Sequence, residues 1–159
     1  MEVQLFADYC QILLQDSLSE LSLADAWSVA TINDRMAVLP GLIGIWAEDN
    51  NDVDVSINVA SAAPDLVSAD FDHVVEGSMR SDSGIIVVMG CTDYLPEADR
   101  LSVPTDWLRV RVSKSILQPS ESGADEFDSD SAEFERIKID MWPQEQSPVC
   151  VLKQWPGQA

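Results

Sequence analysis

Between Asp72 and Ser113 the chain carries three strand-like runs separated by turn chemistry, and few folds can be built around them. His73 to Met79 alternates, setting Val75, Gly77 and Met79 against Val74, Glu76 and Ser78. Arg80-Ser81-Asp82-Ser83-Gly84 is the polar, glycine-bearing break of a hairpin connection. Ile85 to Met89 is apolar throughout, the pattern of a central strand covered on both faces. A loop with Asp93, Pro96 and Asp99 follows. Trp107 to Ser113 then alternates strictly, with Leu108, Val110 and Val112 against Trp107, Arg109 and Arg111. The three runs read as neighbours in chain order, the apolar one in the middle, forming the spine of an antiparallel sheet.

The rest of the chain adds strands and little helix. Val3 to Leu14 reads as one strand bent near Asp8, because Val, Phe, Tyr and Ile favour extended backbone. Ser22-Leu23-Ala24-Asp25 has capping-box spacing, which predicts a short helix to about Ile32 with Trp27 anchoring it on the sheet. Met36 to Trp46 is a strand pair or one bent strand, broken at Pro40-Gly41. Asp52 to Ala60 alternates, with Val53, Val55, Ile57 and Val59 inward. Glu133 to Trp142 groups Ile137, Ile139 and Met141, and Val149 to Trp155 forms a last strand. About nine strands and one helix, without a βαβ rhythm, predict a mainly β fold: a single-domain antiparallel β-sandwich with one short helix over 1–159. Its core would hold Val55, Ile57, Ile86, Val88, Val110, Val112, Ile137 and Ile139.

Charge narrows the function. The 159 residues include 28 acids against 9 Lys and Arg, a formal net charge of -19, while 46% are hydrophobic. Such a balance repels nucleic acid and anionic membrane and speeds encounter with basic partners; it also simply confers solubility. Arg109, Arg111 and Lys114 make the only basic cluster, expected to pair with nearby carboxylates. No apolar run reaches membrane-helix length, and Met1 to Gln4 lacks the basic start of a secretory signal. Three cysteines, Cys10, Cys91 and Cys150, with no paired spacing, are expected to be reduced and mostly buried thiols in a cytoplasmic protein.

Catalytic chemistry finds little to stand on. His73 is the only histidine, so any Ser-His-Asp triad must use it, and its place at a strand start suits an ordinary hydrogen-bonded ring. Neither a nucleophile elbow nor a phosphate-binding glycine loop is present. Asp49-Asn50-Asn51-Asp52-Val53-Asp54 resembles the start of a calcium loop but lacks its sixth-position glycine and twelfth-position glutamate, leaving a turn with solvated acids. The expectation is a non-enzyme with no cofactor and no metal.

Six blocks carry a family likeness: LFADYCQILLQD from Leu5, MAVLPGLIGI from Met36, FDHVVEGSM from Phe71, GCTDYLPEADRLSVP from Gly90, LRVRVS from Leu108 and VLKQW from Val151. Together they resemble the competence protein J family of small bacterial proteins. The resemblance implies a cytoplasmic inhibitor that binds a competence-associated DNA nuclease. The family pattern expects Tyr-His-Gln in the first block, where this chain has Tyr9-Cys10-Gln11.

The resulting expectation is an inhibitor or immunity-type partner of a basic protein, most directly a nuclease, with no nucleic-acid or membrane binding of its own. The alternative is a sandwich that binds a small ligand or divalent metal with surface carboxylates. Two acidic surfaces are candidates for partner binding. One is the loop with Asp93, Tyr94, Glu97 and Asp99. The other is the insertion at 118–131, with Glu121, Asp125, Glu126, Asp128 and Asp130. This second stretch reads first as a flexible solvated segment, since glycine, serine and acids lack apolar anchors. Oligomeric state is open.

Overall fold

The computed structural model describes residues 1–66, 68–115 and 134–157, so the five insertion acids named above lie outside the described residues. In chain order the elements are β1 (Glu2–Phe6), β2 (Gln11–Asp16), α1 (Val29–Asp34), β3 (Met36–Leu39), β4 (Leu42–Trp46), β5 (Asp52–Val59), β6 (His73–Ser81), β7 (Ile85–Gly90), β8 (Asp99–Ser102), β9 (Asp106–Ser115), β10 (Glu135–Pro143) and β11 (Cys150–Lys153). They form two sheets, β1-β5-β10-β9-β6-β11 and β3-β4-β2-β7-β8, packed face to face as a β-sandwich.

The alternating runs place their inward faces as expected. Val53, Val55, Ile57, Val110, Val112, Ile137, Ile139 and Met141 share one buried cluster with Ile86 and Val88 from the opposite sheet. Val59 is the exception, 36% exposed where β5 leaves the core. The sandwich is antiparallel except at one seam, where β10 runs parallel to β5 while pairing antiparallel with β9.

The expected spine is corrected. β6 pairs directly with β9, with Val75 opposite Val112 and Gly77 opposite Val110, whereas β7 belongs to the other sheet between β2 and β8. The polar turn between β6 and β7 is therefore a corner between sheets. The Asp16 carboxylate at the end of β2 fixes it, accepting from the Ser81 hydroxyl at 2.9 Å and from the Ser83 hydroxyl at 2.8 Å and backbone N–H at 3.2 Å. Gly84 turns the corner at φ 77°, a conformation costly for other residues. Burial outside a partner would raise the Asp16 pKa, but the hydrogen bonds from Ser83, the Leu18 N–H and Ser81 outweigh it and lower it.

The expected bend near Asp8 is also a change of sheet. β1 lies in the six-stranded sheet and β2 in the five-stranded one, joined by a tight turn over Asp8–Cys10. Splitting that run in two, and adding β8, makes eleven strands among the described residues instead of nine.

The helix begins later than its spacing implied. Ser22 caps only a turn, donated to by the Ala24 N–H at 3.2 Å. The true N-cap is Ser28, whose hydroxyl accepts from Thr31 N–H at 3.2 Å while Thr31 returns the bond to Ser28 N–H at 2.8 Å. Leu23 and Trp27 pack over Gly44 and hold the preceding stretch flat on the sheet, which delays the helix; Trp27 remains the anchor, edge-on to Trp46 at 5.2 Å. No helix among the described residues is long and apolar enough to cross a membrane.

Candidate partner-binding face

Where β7 ends, the chain enters the acidic loop. Asp93 turns back so that its Oδ2 accepts the Gly90 N–H at 2.8 Å, and Leu95–Glu97 forms a single 3-10 turn. Arg100 closes the loop from within, its guanidinium donating to the carbonyls of Ala98 at 2.9 Å and Leu95 at 3.1 Å. Four of the expected partner-binding residues, Asp93, Tyr94, Glu97 and Asp99, thus come together, all exposed, around a cavity of about 240 Å³ floored by Leu5 and Val88. Tyr94 is 67% exposed. Asp93 has a structural task in addition, as the acceptor that shapes the turn.

A second turn lies against this loop, and sequence reasoning assigned it no role. Tyr9 and Cys10 are left-handed, at φ 54° and 58°. Such backbone is uncommon outside glycine and persists only where surroundings impose it. Here the Asn50 side chain accepts the Tyr9 N–H at 2.7 Å, and the Asn51 carbonyl accepts the Ala7 N–H at 2.9 Å. Thr92 ties the turn to the acidic loop by donating its hydroxyl to Asp8 Oδ2 at 2.8 Å. Gly90 lets the loop sit there, since a Cβ at that position would collide with the Phe6 carbonyl. Tyr9 stands 68% exposed and Phe6 46% exposed. The only sequence signal was the polar interruption at Asp8.

The thiols are free, as expected, but not buried as expected: Cys10 and Cys91 are half-buried and Cys150 is exposed. Each sits at a turn or an edge instead of a core position. Burial, then the carboxylates of Asp49, Glu135 and Glu48, raise the Cys10 pKa; burial, then Asp8 and Asp93, raise that of Cys91. Both therefore stay protonated at neutral pH and make poor nucleophiles.

The basic cluster is spent internally. Glu76 takes Arg109 at 3.2 Å on one oxygen and Arg111 at 2.9 Å on the other, and Arg109 also donates to the Ser147 and Pro148 carbonyls. Lys114 continues the inward parity of Val110 and Val112 and is fully buried at one end of the sandwich. There its ammonium meets Glu135 at 2.8 Å, Glu48 at 2.9 Å and the Trp46 carbonyl at 2.6 Å, while Arg35 pairs with Glu48 at 2.7 Å. Burial raises the Glu48 pKa, and Arg35 and Lys114 more than offset this, lowering it. Four of the nine cations, Arg35, Arg109, Arg111 and Lys114, are thus buried, which leaves the outer surface still more one-sidedly acidic.

His73 is also inside. Its Nδ1 accepts the Trp155 N–H at 3.2 Å, so its Nε2 carries the proton and donates to the Asp34 carbonyl at 2.9 Å. With both nitrogens engaged and no access to solvent, the ring has no free position for acid–base work. Among the described residues no group of three His, Cys, Asp or Glu side chains is placed to hold a metal ion. A second cavity, of about 440 Å³, is lined by Glu2 and Asp54 but also by Arg136 and Lys138, so its charge is mixed.

No protein-family model matches the sequence, and no curated protein sequence matches it. Two solved structures share the fold. One is ComJ of Bacillus subtilis, an inhibitor of the DNA degrading activity of NucA, with a TM-score of 0.66 and 13% identity over 91% of this chain and 96% of that one. The other is the protein of crocagin biosynthetic gene J, with a TM-score of 0.59 and 19% identity over 90% of this chain and 96% of that one. At such identities the likeness is one of architecture.

Proposed function

We propose that this protein is a non-enzymatic binding protein that occupies a basic surface of another protein, most directly a DNA nuclease, and inhibits it. The observation that carries the reading is Tyr94, an exposed aromatic ring at the head of a loop rimmed by Asp93, Glu97 and Asp99. Interface energy concentrates in such aromatic anchors, while surrounding carboxylates steer a cationic partner into place. A nuclease must present positive charge to hold DNA, and a chain of net charge -19 complements that surface. The shared architecture with ComJ, itself a nuclease inhibitor, supports the same reading.

In this account the whole chain is one β-sandwich domain. Residues 118–131 form an acidic insertion whose Glu121, Asp125, Glu126, Asp128 and Asp130 add to the steering field. The site of action is the cytoplasm, where three free thiols stay reduced. The protein is immobilised as bait and exposed to its native host's extract at physiological salt, and the retained proteins are identified by mass spectrometry. The expected result is retention of a basic DNA-cleaving protein, released by salt. Retention of no basic protein, together with a thermal shift induced by calcium or a sugar, overturns the reading in favour of ligand binding.

A further inference from the structure

We infer that the Asp8–Tyr9 turn is a second arm of the docking face, and that the two arms together take up arginine side chains of the partner. The inference rests on the basic-partner reading above and adds both a contact surface and the residue type it reads.

The chain has only two tyrosines, and both stand out from this end of the sandwich, 68% and 67% exposed at Tyr9 and Tyr94. Neither phenol has a hydrogen-bond partner among the described residues. Their turns are tied together by the Thr92–Asp8 hydrogen bond, and Asp8 and Asp93 both bear on the Cys91 thiol between them. An exposed ring with a carboxylate next to it in the chain is therefore presented twice, as Tyr94 with the exposed Asp93 and as Tyr9 with the half-buried Asp8. Leu95, 36% exposed, extends the apolar part of the Tyr94 loop.

The molecule itself shows what such a combination holds. Arg35 lies over the Trp155 ring at 5.0 Å while its Nε pairs with Glu48 at 2.7 Å. Arg111 lies over Trp142 at 5.0 Å while its Nε pairs with Glu76 at 2.9 Å. In both places one planar guanidinium satisfies a ring face and a carboxylate together. A lysine ammonium, compact and strongly hydrated, stacks less well and cannot form the fork. The two tyrosine–aspartate pairs supply the same two kinds of group, an aromatic ring and a carboxylate, on a protein whose charge draws arginine toward it.

The test uses hexa-arginine and hexa-lysine peptides titrated into the isotope-labelled full chain at physiological ionic strength, followed by backbone amide NMR. The expected perturbations centre on residues 8–10 and 92–99. Hexa-arginine should bind about two- to fivefold more tightly than hexa-lysine. Tyr9→Ala should remove about half of that preference on a logarithmic scale with little effect on hexa-lysine, and Tyr9→Phe should retain it. Perturbations centred on another acidic surface, or equal affinity for the two peptides, overturn this inference while leaving the basic-partner reading intact. No saturable binding of either peptide overturns both.

Discussion

The backbone N–H of Trp155 points into Nδ1 of His73 across 3.2 Å, joining two residues 82 positions apart and fixing a buried, neutral imidazole. Burial lowers the pKa of this ring from 6.5 to about 4, and the neighbouring cations Lys114 and Arg35 add to that against the opposing Glu48 and the Asp34 carbonyl. The unfolded chain therefore binds a proton that the folded chain refuses. Stability from His73 is fully present above about pH 6.5 and is lost as pH falls toward 4, by up to about 3 kcal/mol. Urea unfolding measured from pH 7.5 to 4 should show this loss, and the ring should remain neutral by NMR at pH 6. A histidine half-protonated at pH 6 contradicts it.

Lys114→Met should be far more damaging than a surface lysine change. It leaves the Glu48 and Glu135 carboxylates facing each other at a buried end of the sandwich, and losing one partner of a buried pair costs roughly 3–5 kcal/mol. Adding Glu135→Gln to that variant should recover part of the loss. Denaturant midpoints for the single and double variants measure both effects; a double variant less stable than the single one contradicts the pairing.

Asp16→Asn tests the corner between the sheets. The asparagine keeps the size but replaces one carboxylate oxygen with a donor, which opposes either the Leu18 N–H on Oδ1 or the three donors from Ser81 and Ser83 on Oδ2. The expected cost is about 1–3 kcal/mol in unfolding free energy. A neutral result means that the corner holds without that carboxylate.

At the proposed interface, Tyr94→Ala should weaken partner binding more than neutralising Glu121, Asp125, Glu126, Asp128 and Asp130 together. An anchor ring is worth about 2 kcal/mol or more, roughly thirtyfold in Kd. Neutralised rim acids should mainly slow association and flatten its salt dependence. Surface plasmon resonance at physiological salt ranks the two variants, and the reverse ranking counts against Tyr94 as anchor.

Strand faces were legible because side-chain parity is local: Val53, Val55 and Ile57 point inward wherever β5 is placed. Continuing the same parity past Val112 puts Lys114 inside, a consequence available from sequence and not drawn from it. Sheet membership was not legible, since alternation in β6 and apolarity in β7 define faces without naming neighbours. The Asp16 bonds that turn the corner come from a residue some 65 positions away. Of the candidate site, Asp93, Tyr94, Glu97 and Asp99 were found as a polar loop with one ring. Tyr9 was missed because left-handed backbone at a tyrosine leaves no mark in composition or spacing, and because the tie from its neighbour Asp8 to Thr92 spans 84 positions.

The central claim, that this chain inhibits by occupying a basic surface, is tested most directly by titrating the protein into its captured nuclease and measuring DNA cleavage. Cleavage should fall linearly to near zero at a fixed molar ratio, and Tyr94→Ala should require a large excess. Cleavage continuing at full rate with the wild-type protein in many-fold excess would contradict the account.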